Sequence, residues 1–224
     1  MTNGLENKTI AVFGAYGLVG SAIVARALAG GATVIALGRD PKKLDALAEE
    51  LGGEIDKRVV DLEANLQTAS VFRDDEKLDA IITPLGGAYT MGAFDDLTAS
   101  DFMTAIQSKV VLEVNALKLS LGNLAKDGSV VFFSGLLSRK PIEGLSAMSA
   151  LNGAMESLTL ALASELAPLR VNCVSPGQIK PAADRADDEP TVTTPEEVAD
   201  MAIMITKLNV SGSVFDIPCD PIFL

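Results

Sequence analysis

There is no histidine in this chain, and no tryptophan. The first absence removes the usual general base near neutral pH, the commonest metal ligand, and every nucleophile built from a serine or cysteine with an imidazole. Two cysteines, Cys173 and Cys219, are too few for a disulfide framework or a thiolate cluster. Cys173 lies in the apolar run RVNCV and reads as a small core residue. No metal site is expected. Basic residues are in deficit, 18 against 30 acidic, and the net charge of −12 disfavours nucleic acid and anionic membrane as partners. No apolar run is long enough to span a bilayer, and the polar start MTNGLENK lacks the pattern of a signal peptide, so a cytoplasmic protein is expected.

What remains is rich in small and aliphatic residues. The 224 residues are 48% hydrophobic with 19 glycines, enough for a substantial core and many tight turns. Short apolar runs predict strands at 9–13, 33–37, 58–60, 78–83, 129–134, 169–174 and 213–217. Between them, longer periodic stretches predict helices near 18–30, 41–51, 64–73, 98–126, 147–167 and 194–207. This alternation predicts an α/β fold, a doubly wound Rossmann domain over residues 1–224 with a seven-stranded parallel sheet flanked by helices. Asp40-Pro41 and Thr194-Pro195-Glu196-Glu197 read as helix starts, a capping side chain followed by proline. Residues 178–193 are polar and proline-containing, and are expected to form a flap loop.

The sequence GAYGLVG follows the first strand and opens the first helix. Gly14 suits the turn, Gly17 a close backbone approach to a pyrophosphate, and Gly20 the packing of helix on strand. Tyr16 and Leu18 fill the turn and join the candidate cofactor set. The second strand ends in ALGRD. Gly38 stands where an acid would hold a ribose 2′-hydroxyl, and the Arg39 guanidinium that follows suits a 2′-phosphate. NADP(H) is therefore favoured over NAD(H). The competing reading is that Arg39 is only a surface charge and Asp40 only a helix cap.

Residues 128–177, GSVVFFSGLLSRKPIEGLSAMSALNGAMESLTLALASELAPLRVNCVSPG, closely resemble the catalytic half of the short-chain dehydrogenase/reductase family. The resemblance extends over almost the whole chain. It implies that Asp61, with Leu62 beside it, contacts the adenine end of the dinucleotide, and that Gly86 keeps a close backbone approach where the family has Asn-Asn-Ala-Gly. Thr83, Pro84 and Leu85 stand at its first three positions. Pro176 and Gly177 belong to the same implied cofactor set. The family also carries a serine, a tyrosine and a lysine that move the proton, and these positions fall on Gly135, Met148 and Asn152. An asparagine on the preceding long helix falls on Lys109. Met148 has no exchangeable proton. Asn152 can hydrogen-bond a ribose but brings no charge. The resemblance is to an atypical branch, with Ser-Gly for the serine pair, LSRKP after it, and asparagine for the lysine.

Another proton source is then required, and Ser134, Ser146, Ser149, Lys109 and Tyr89 are the candidates, with Ser134, Lys109 and Asn152 carried as the candidate catalytic set. The leading expectation is an atypical NADP(H)-dependent oxidoreductase acting on a small carbonyl or alcohol. The alternatives are a catalytically inactive nucleotide-binding protein, serving as sensor or assembly partner, and non-redox chemistry such as isomerisation or dehydration. The helix expected over 147–167 is small or apolar on nearly every face, which predicts burial on two sides and a homodimer or homotetramer.

Overall fold

The apolar runs of the central strands fold as short strands covered on both faces. A computed structural model describes residues 4–52, 54–63, 71–184 and 192–217. Its main elements, in chain order, are β1 (Thr9–Phe13), α1 (Leu18–Ala29), β2 (Thr33–Gly38), α2 (Pro41–Leu51), β3 (Asp56–Val59), β4 (Leu78–Ile82), α3 (Ala99–Ile106), α4 (Leu112–Ser120), β5 (Leu124–Phe133), α5 (Ser146–Glu165), β6 (Arg170–Pro176), β7 (Gln178–Ile179), β8 (Val192–Thr193), α6 (Pro195–Lys207) and β9 (Val214–Ile217). Seven strands form one parallel sheet in the order β3-β2-β1-β4-β5-β6-β9.

Side chains alternate across that sheet, so each strand feeds two cores. Ile10, Val12, Val34, Ala36, Ile82 and Val174 face α1 and α6. Ala11, Phe13, Ile35, Ile81, Phe132 and Cys173 face α4 and α5. The strand order reverses direction between β1 and β4, and the crevice outside the carboxyl ends of such strands is where doubly wound sheets bind ligands.

Helix starts follow their caps. The Asp40 carboxylate accepts from the Lys42 and Lys43 amides at 2.9 and 3.4 Å, with Pro41 at the first helical position. Thr194 and Glu197 cap each other reciprocally.

Four boundaries differ from the sequence expectation. The helix expected over 98–126 runs only to Ser120, and a π-helical turn over Gln107–Val111 joins α3 to α4. It stops because Asn123 is needed elsewhere: its amide donates to Arg73 O and Glu76 O, and its carbonyl accepts from Leu78 N. Leu124 then opens β5 opposite Leu78. The edge strand expected at 58–60 lies instead at Asp56–Val59, where the pairing register with β2 admits polar side chains on an open edge. Most of the helix expected over 64–73 falls outside the described residues, and Val71–Arg73 is not helical. The two ends of the expected flap pair with each other as β7 and β8, while 185–191 lie outside the described residues.

Pro84 ends the pairing of β4 with β5. The ladder stops at Ile82 opposite Val131, Thr83 N still reaches Val131 O at 3.1 Å, and proline offers no further N–H. The chain leaves the sheet there and opens the crevice.

A Cβ built on Gly20 would stand 2.1 Å from Gly14 O and 2.9 Å from Gly14 C, so α1 lies directly on the turn that precedes it. Gly20→Ala must push helix and turn apart. We expect a loss of about 1–3 kcal/mol of stability, a Tm lower by several degrees in calorimetry, and a turn that no longer cradles an anion.

Candidate active site

The glycine turn is built for a group that approaches backbone. Gly14 has φ +74°, and its carbonyl accepts from Gly17 N at 3.0 Å. Gly17 is the N-cap of α1, yet no side chain caps the helix and no acid stands in its first turn. The first-turn N–H groups therefore have no helical partner. A helix dipole contributes only about 0.3–1 kcal/mol to a bound anion, whereas a hydrogen bond to a charged group contributes about 1.5–3 kcal/mol. The open N–H groups are thus the larger attraction for a phosphate. Gly20 brings the start of α1 down on the turn, and the uncapped N–H groups there fit a dinucleotide pyrophosphate.

At the far end of the turn, the Tyr16 ring lies on Gly38, where an added Cβ would come within 2.3 Å of its edge. Tyr16 Oη accepts from the Arg39 and Asp40 amides at 3.2 and 3.3 Å, so this side chain fixes the end of β2. Arg39 reaches Glu63 at 3.3 Å, with both side chains about two-thirds exposed at 66% and 63%. A pair that open contributes little and releases easily. Asp61 accepts from Glu63 N at 3.0 Å, and Asn115 Nδ2 donates to Leu62 O at 2.8 Å. Asn115, which the sequence reading did not single out, thereby ties the loop after β3 to α4.

The residues expected at the proton-transfer positions lie in a tightly packed region. Met148 is half-buried and packs with Phe102, Ile106 and Val110 on the cluster of Ala105, Ala147 and Leu151. Asn152 is buried, and its amide has no hydrogen bond among the described residues. A Cβ built on Gly135 would meet Asn152 Nδ2 at 3.0 Å and Pro176 O at 3.5 Å. Glycine at 135 and asparagine at 152 therefore share one space.

Ser134 Oγ donates to Glu156 Oε1 at 3.1 Å, and Ser138 Oγ donates to the same oxygen at 2.6 Å. Arg139 closes this network on Glu156 Oε2 at 3.3 Å, on Ser175 Oγ at 3.0 Å, and on Asp216. The Ser134 hydroxyl is thus committed to Glu156. Ser146 Oγ and Ser149 Oγ are buried without a partner among the described residues. Tyr89 is 67% exposed on the loop after β4, anchored where Ala88 N donates to Ser108 Oγ at 2.7 Å.

Lys109 lies in the π-helical turn and is buried. Its Nζ donates to Leu85 O at 2.6 Å and pairs with Glu113 Oε1 at 3.1 Å, with side-chain exposures of 8% and 0%. Glu113 Oε2 accepts from Phe133 N at 3.3 Å and Thr83 Oγ1 at 3.2 Å. Phe133 N–H is the β5 donor left without a strand partner when β4 departs at Pro84, and this carboxylate takes it. Burial pushes the Glu113 carboxyl up to about 7, against the pull of the Lys109 ammonium and of its hydrogen bonds. Burial also pushes the neighbouring Cys173 thiol up to about 12, which makes it unreactive. Glu113 and Glu156 were missed in the sequence. The signal for Glu113 was its i,i+4 spacing from Lys109 on the interior face.

Among the described residues no cluster of three or more potential metal ligands occurs, and no helix is long and apolar enough to cross a membrane.

Comparison with known proteins follows this geometry. The family model described as enoyl-(acyl carrier protein) reductase matches residues 14–212. The short-chain dehydrogenase/reductase ATR9 of Stachybotrys chlorohalonatus is 29% identical over 217 residues, 89% of this chain and 81% of that protein. A crystal structure from Brucella melitensis, described as a short-chain dehydrogenase/reductase of glucose/ribitol dehydrogenase type, superimposes with a TM-score of 0.81 at 28% identity, covering 97% of each chain. A short-chain oxidoreductase of Pseudomonas aeruginosa, described as containing an atypical catalytic center, shares the fold with a TM-score of 0.82 at 21% identity over 95% of this chain and 96% of that one.

The carboxyl of Glu113 is more easily protonated in the folded chain than in the unfolded one, where about 4.5 is normal. Folded protein therefore binds the extra proton between about pH 4.5 and 7, and this group's contribution to stability declines as pH rises through that window. From pH 5 to pH 8, urea unfolding should move the gap between wild type and Glu113→Gln by roughly 3 kcal/mol in favour of the variant. A gap that does not move with pH would mean that Glu113 does not titrate there.

Proposed function

This chain belongs to the short-chain dehydrogenase/reductase family of oxidoreductases, and we propose that it is an atypical, NADP(H)-dependent member acting on a small carbonyl or alcohol. Membership implies a nicotinamide dinucleotide cofactor, which when bound supplies or accepts a hydride. The observation that carries the reading is the glycine cradle. Gly20 permits α1 to lie on the turn, and the uncapped first turn of that helix keeps its N–H groups for phosphate.

In this reading the backbone at Gly14, Gly17, Leu18 and Gly20 holds the pyrophosphate, with Tyr16 bracing the end of β2. Arg39 turns from Glu63 to a 2′-phosphate, and Gly38 leaves no acid to repel it. Asp61 and Leu62 line the adenine side. Gly86, Pro176 and Gly177 contribute backbone at the reacting end. The Asn152 amide, with no partner among the described residues, is free to hydrogen-bond a ribose hydroxyl. The faces of α4 and α5 turned from the sheet suit a homodimer or homotetramer.

One observation favours a second reading, a nucleotide-binding protein without turnover. Met148, which the sequence resemblance sets at the family's tyrosine position, packs into an apolar cluster. No hydroxyl can act from there.

Nicotinamide fluorescence decides the first point cleanly, since no indole is present to transfer energy. NADPH should bind more tightly than NADH, and Arg39→Asp should weaken NADPH by roughly 10- to 100-fold, the worth of one charge-assisted contact of about 1.5–3 kcal/mol. Binding of neither cofactor would end the oxidoreductase reading. For the second point, Met148→Tyr combined with Asn152→Lys is the informative variant. Reduction of a carbonyl panel by the double variant alone, with none by wild type, would favour the non-catalytic reading.

A further inference from the structure

A buried lysine paired with a buried glutamate asks for a reason. Removing two charges from water costs more than packing two apolar side chains of the same size in their place. Three observations give Lys109 and Glu113 a purpose beyond packing.

The first is where the ammonium points. Lys109 Nζ donates to Leu85 O at 2.6 Å. The Leu85 side chain lies against the glycine turn, with Cδ2 3.1 Å from a Cβ built on Gly14. One residue therefore touches both the dinucleotide cradle and the lysine. Beside it, a Cβ on Gly86 would meet nothing within 4 Å, so the space next to this carbonyl is open.

The second is what the ammonium has left. Of its three N–H bonds, one goes to Leu85 O and one faces Glu113 Oε1 at 3.1 Å. The third has no partner among the described residues.

The third is how Glu113 is held. Oε2 is anchored by the Phe133 amide and the Thr83 hydroxyl, while Oε1 makes no hydrogen bond of good geometry and faces only the lysine. One oxygen is fixed and the other is available to exchange a proton.

We propose that Lys109 is the proton donor and acceptor at the substrate oxygen, recharged by Glu113 behind it, in place of the tyrosine that this chain lacks. The proposal rests on the oxidoreductase reading. In the reducing direction a reduced nicotinamide dinucleotide supplies the hydride and its two electrons to the carbonyl carbon. The carbonyl oxygen takes a proton from Nζ: one N–H bond breaks, one O–H bond forms, and nitrogen keeps the electron pair. The Glu113 carboxyl then gives its proton to the amine, and the pair is recharged through Nζ, the group that Oε1 faces, from solvent in the open space beside Gly86, so each turnover consumes one solvent proton. Oxidation of an alcohol runs the same transfers backwards.

Lys109 is a catalytic residue in this scheme and Glu113 a positioning one. The groups that face Glu113 are few. They are Lys109 from the π-helical turn, Thr83 following β4, the Phe133 amide of β5 and the Cys173 thiol of β6, which stays protonated through the neutral range. Glu156 of α5 lies beyond that thiol. The absence of histidine leaves no imidazole to obscure a titration between pH 6 and 8.

The test uses full-length protein with 13C in its glutamate carboxyls, titrated from pH 5 to 9 by NMR. In parallel, NADPH affinity is read by fluorescence and reduction of a carbonyl panel is followed against pH. One carboxyl should titrate near neutrality, vanish in Glu113→Gln, and move upward in Lys109→Met. Lys109→Met should keep NADPH affinity within about 3-fold and lose turnover by roughly 100-fold or more, the size of a lost acid–base group. Glu113→Gln should lose the pH-dependent limb near neutrality, which a purely structural role would not remove. If Lys109→Met does not fold, Lys109→Arg keeps the charge but cannot release a proton near neutral pH, and carries the same expectation.

Turnover and pH profile unchanged in the lysine variant, with NADPH bound, would overturn the proposal and leave the oxidoreductase reading intact. NADPH bound but no substrate reduced by wild type would overturn both, even with the carboxyl titration present.

Discussion

The carboxylate of Glu113 stands where three elements would otherwise come apart. Pro84 takes β4 out of the sheet, and the next donor of β5, the Phe133 amide, loses its strand partner. A buried amide without an acceptor costs about 1–3 kcal/mol, so the crevice between the strand ends is open only because something else accepts that hydrogen bond. Glu113 does so, takes the Thr83 hydroxyl as well, and binds the α4 layer to the strand ends. Lys109 then offsets part of the charge.

From that arrangement the two ends of the site become one structure. Leu85 presses its side chain on the glycine turn and gives its carbonyl to Lys109. The loop after β4 is held by the helix through the same lysine and through Ser108. Among the described residues, Leu85 therefore links the long helix to the glycine turn. Cys173 separates the Lys109–Glu113 pair from the second polar network, which runs from Ser134 through Glu156 and Arg139 to Asp216.

The sequence carried the fold well where local chemistry decides it. Strand cores, the Asp40 and Thr194 caps and the glycine turn are set by patterns within a few residues, and the structure has them. It carried less where distant partners decide. The long helix stops at Ser120 because Asn123 is claimed by carbonyls near residues 73–76, a demand that no local propensity records. The edge strand shifted because an exposed edge accepts Lys57 and Arg58 as readily as valine. In the site, the sequence resemblance put Gly135, Met148 and Asn152 at the family's serine, tyrosine and lysine positions. How the space around them is filled was not readable. That Met148 turns into an apolar cluster, or that Ser134 is bound by Glu156, depends on contacts between helices and strand ends that sequence spacing does not encode. Lys109 was readable as an interior lysine, but its partner at Glu113 needed the knowledge that both face the same strand ends.

The contact between Gly135 and the Asn152 amide has a consequence for how this site can change. A side chain at 135 would meet that amide nitrogen at 3.0 Å, on a wall also formed by the Pro176 carbonyl. The two positions are therefore not independent variables. A route, natural or engineered, that rebuilds a hydroxyl at 135 asks the end of the Asn152 side chain to give by a few tenths of an ångström, so a change at 135 and a change at 152 each alter the room the other has. The coupling is steric, with no reference to what the site catalyses.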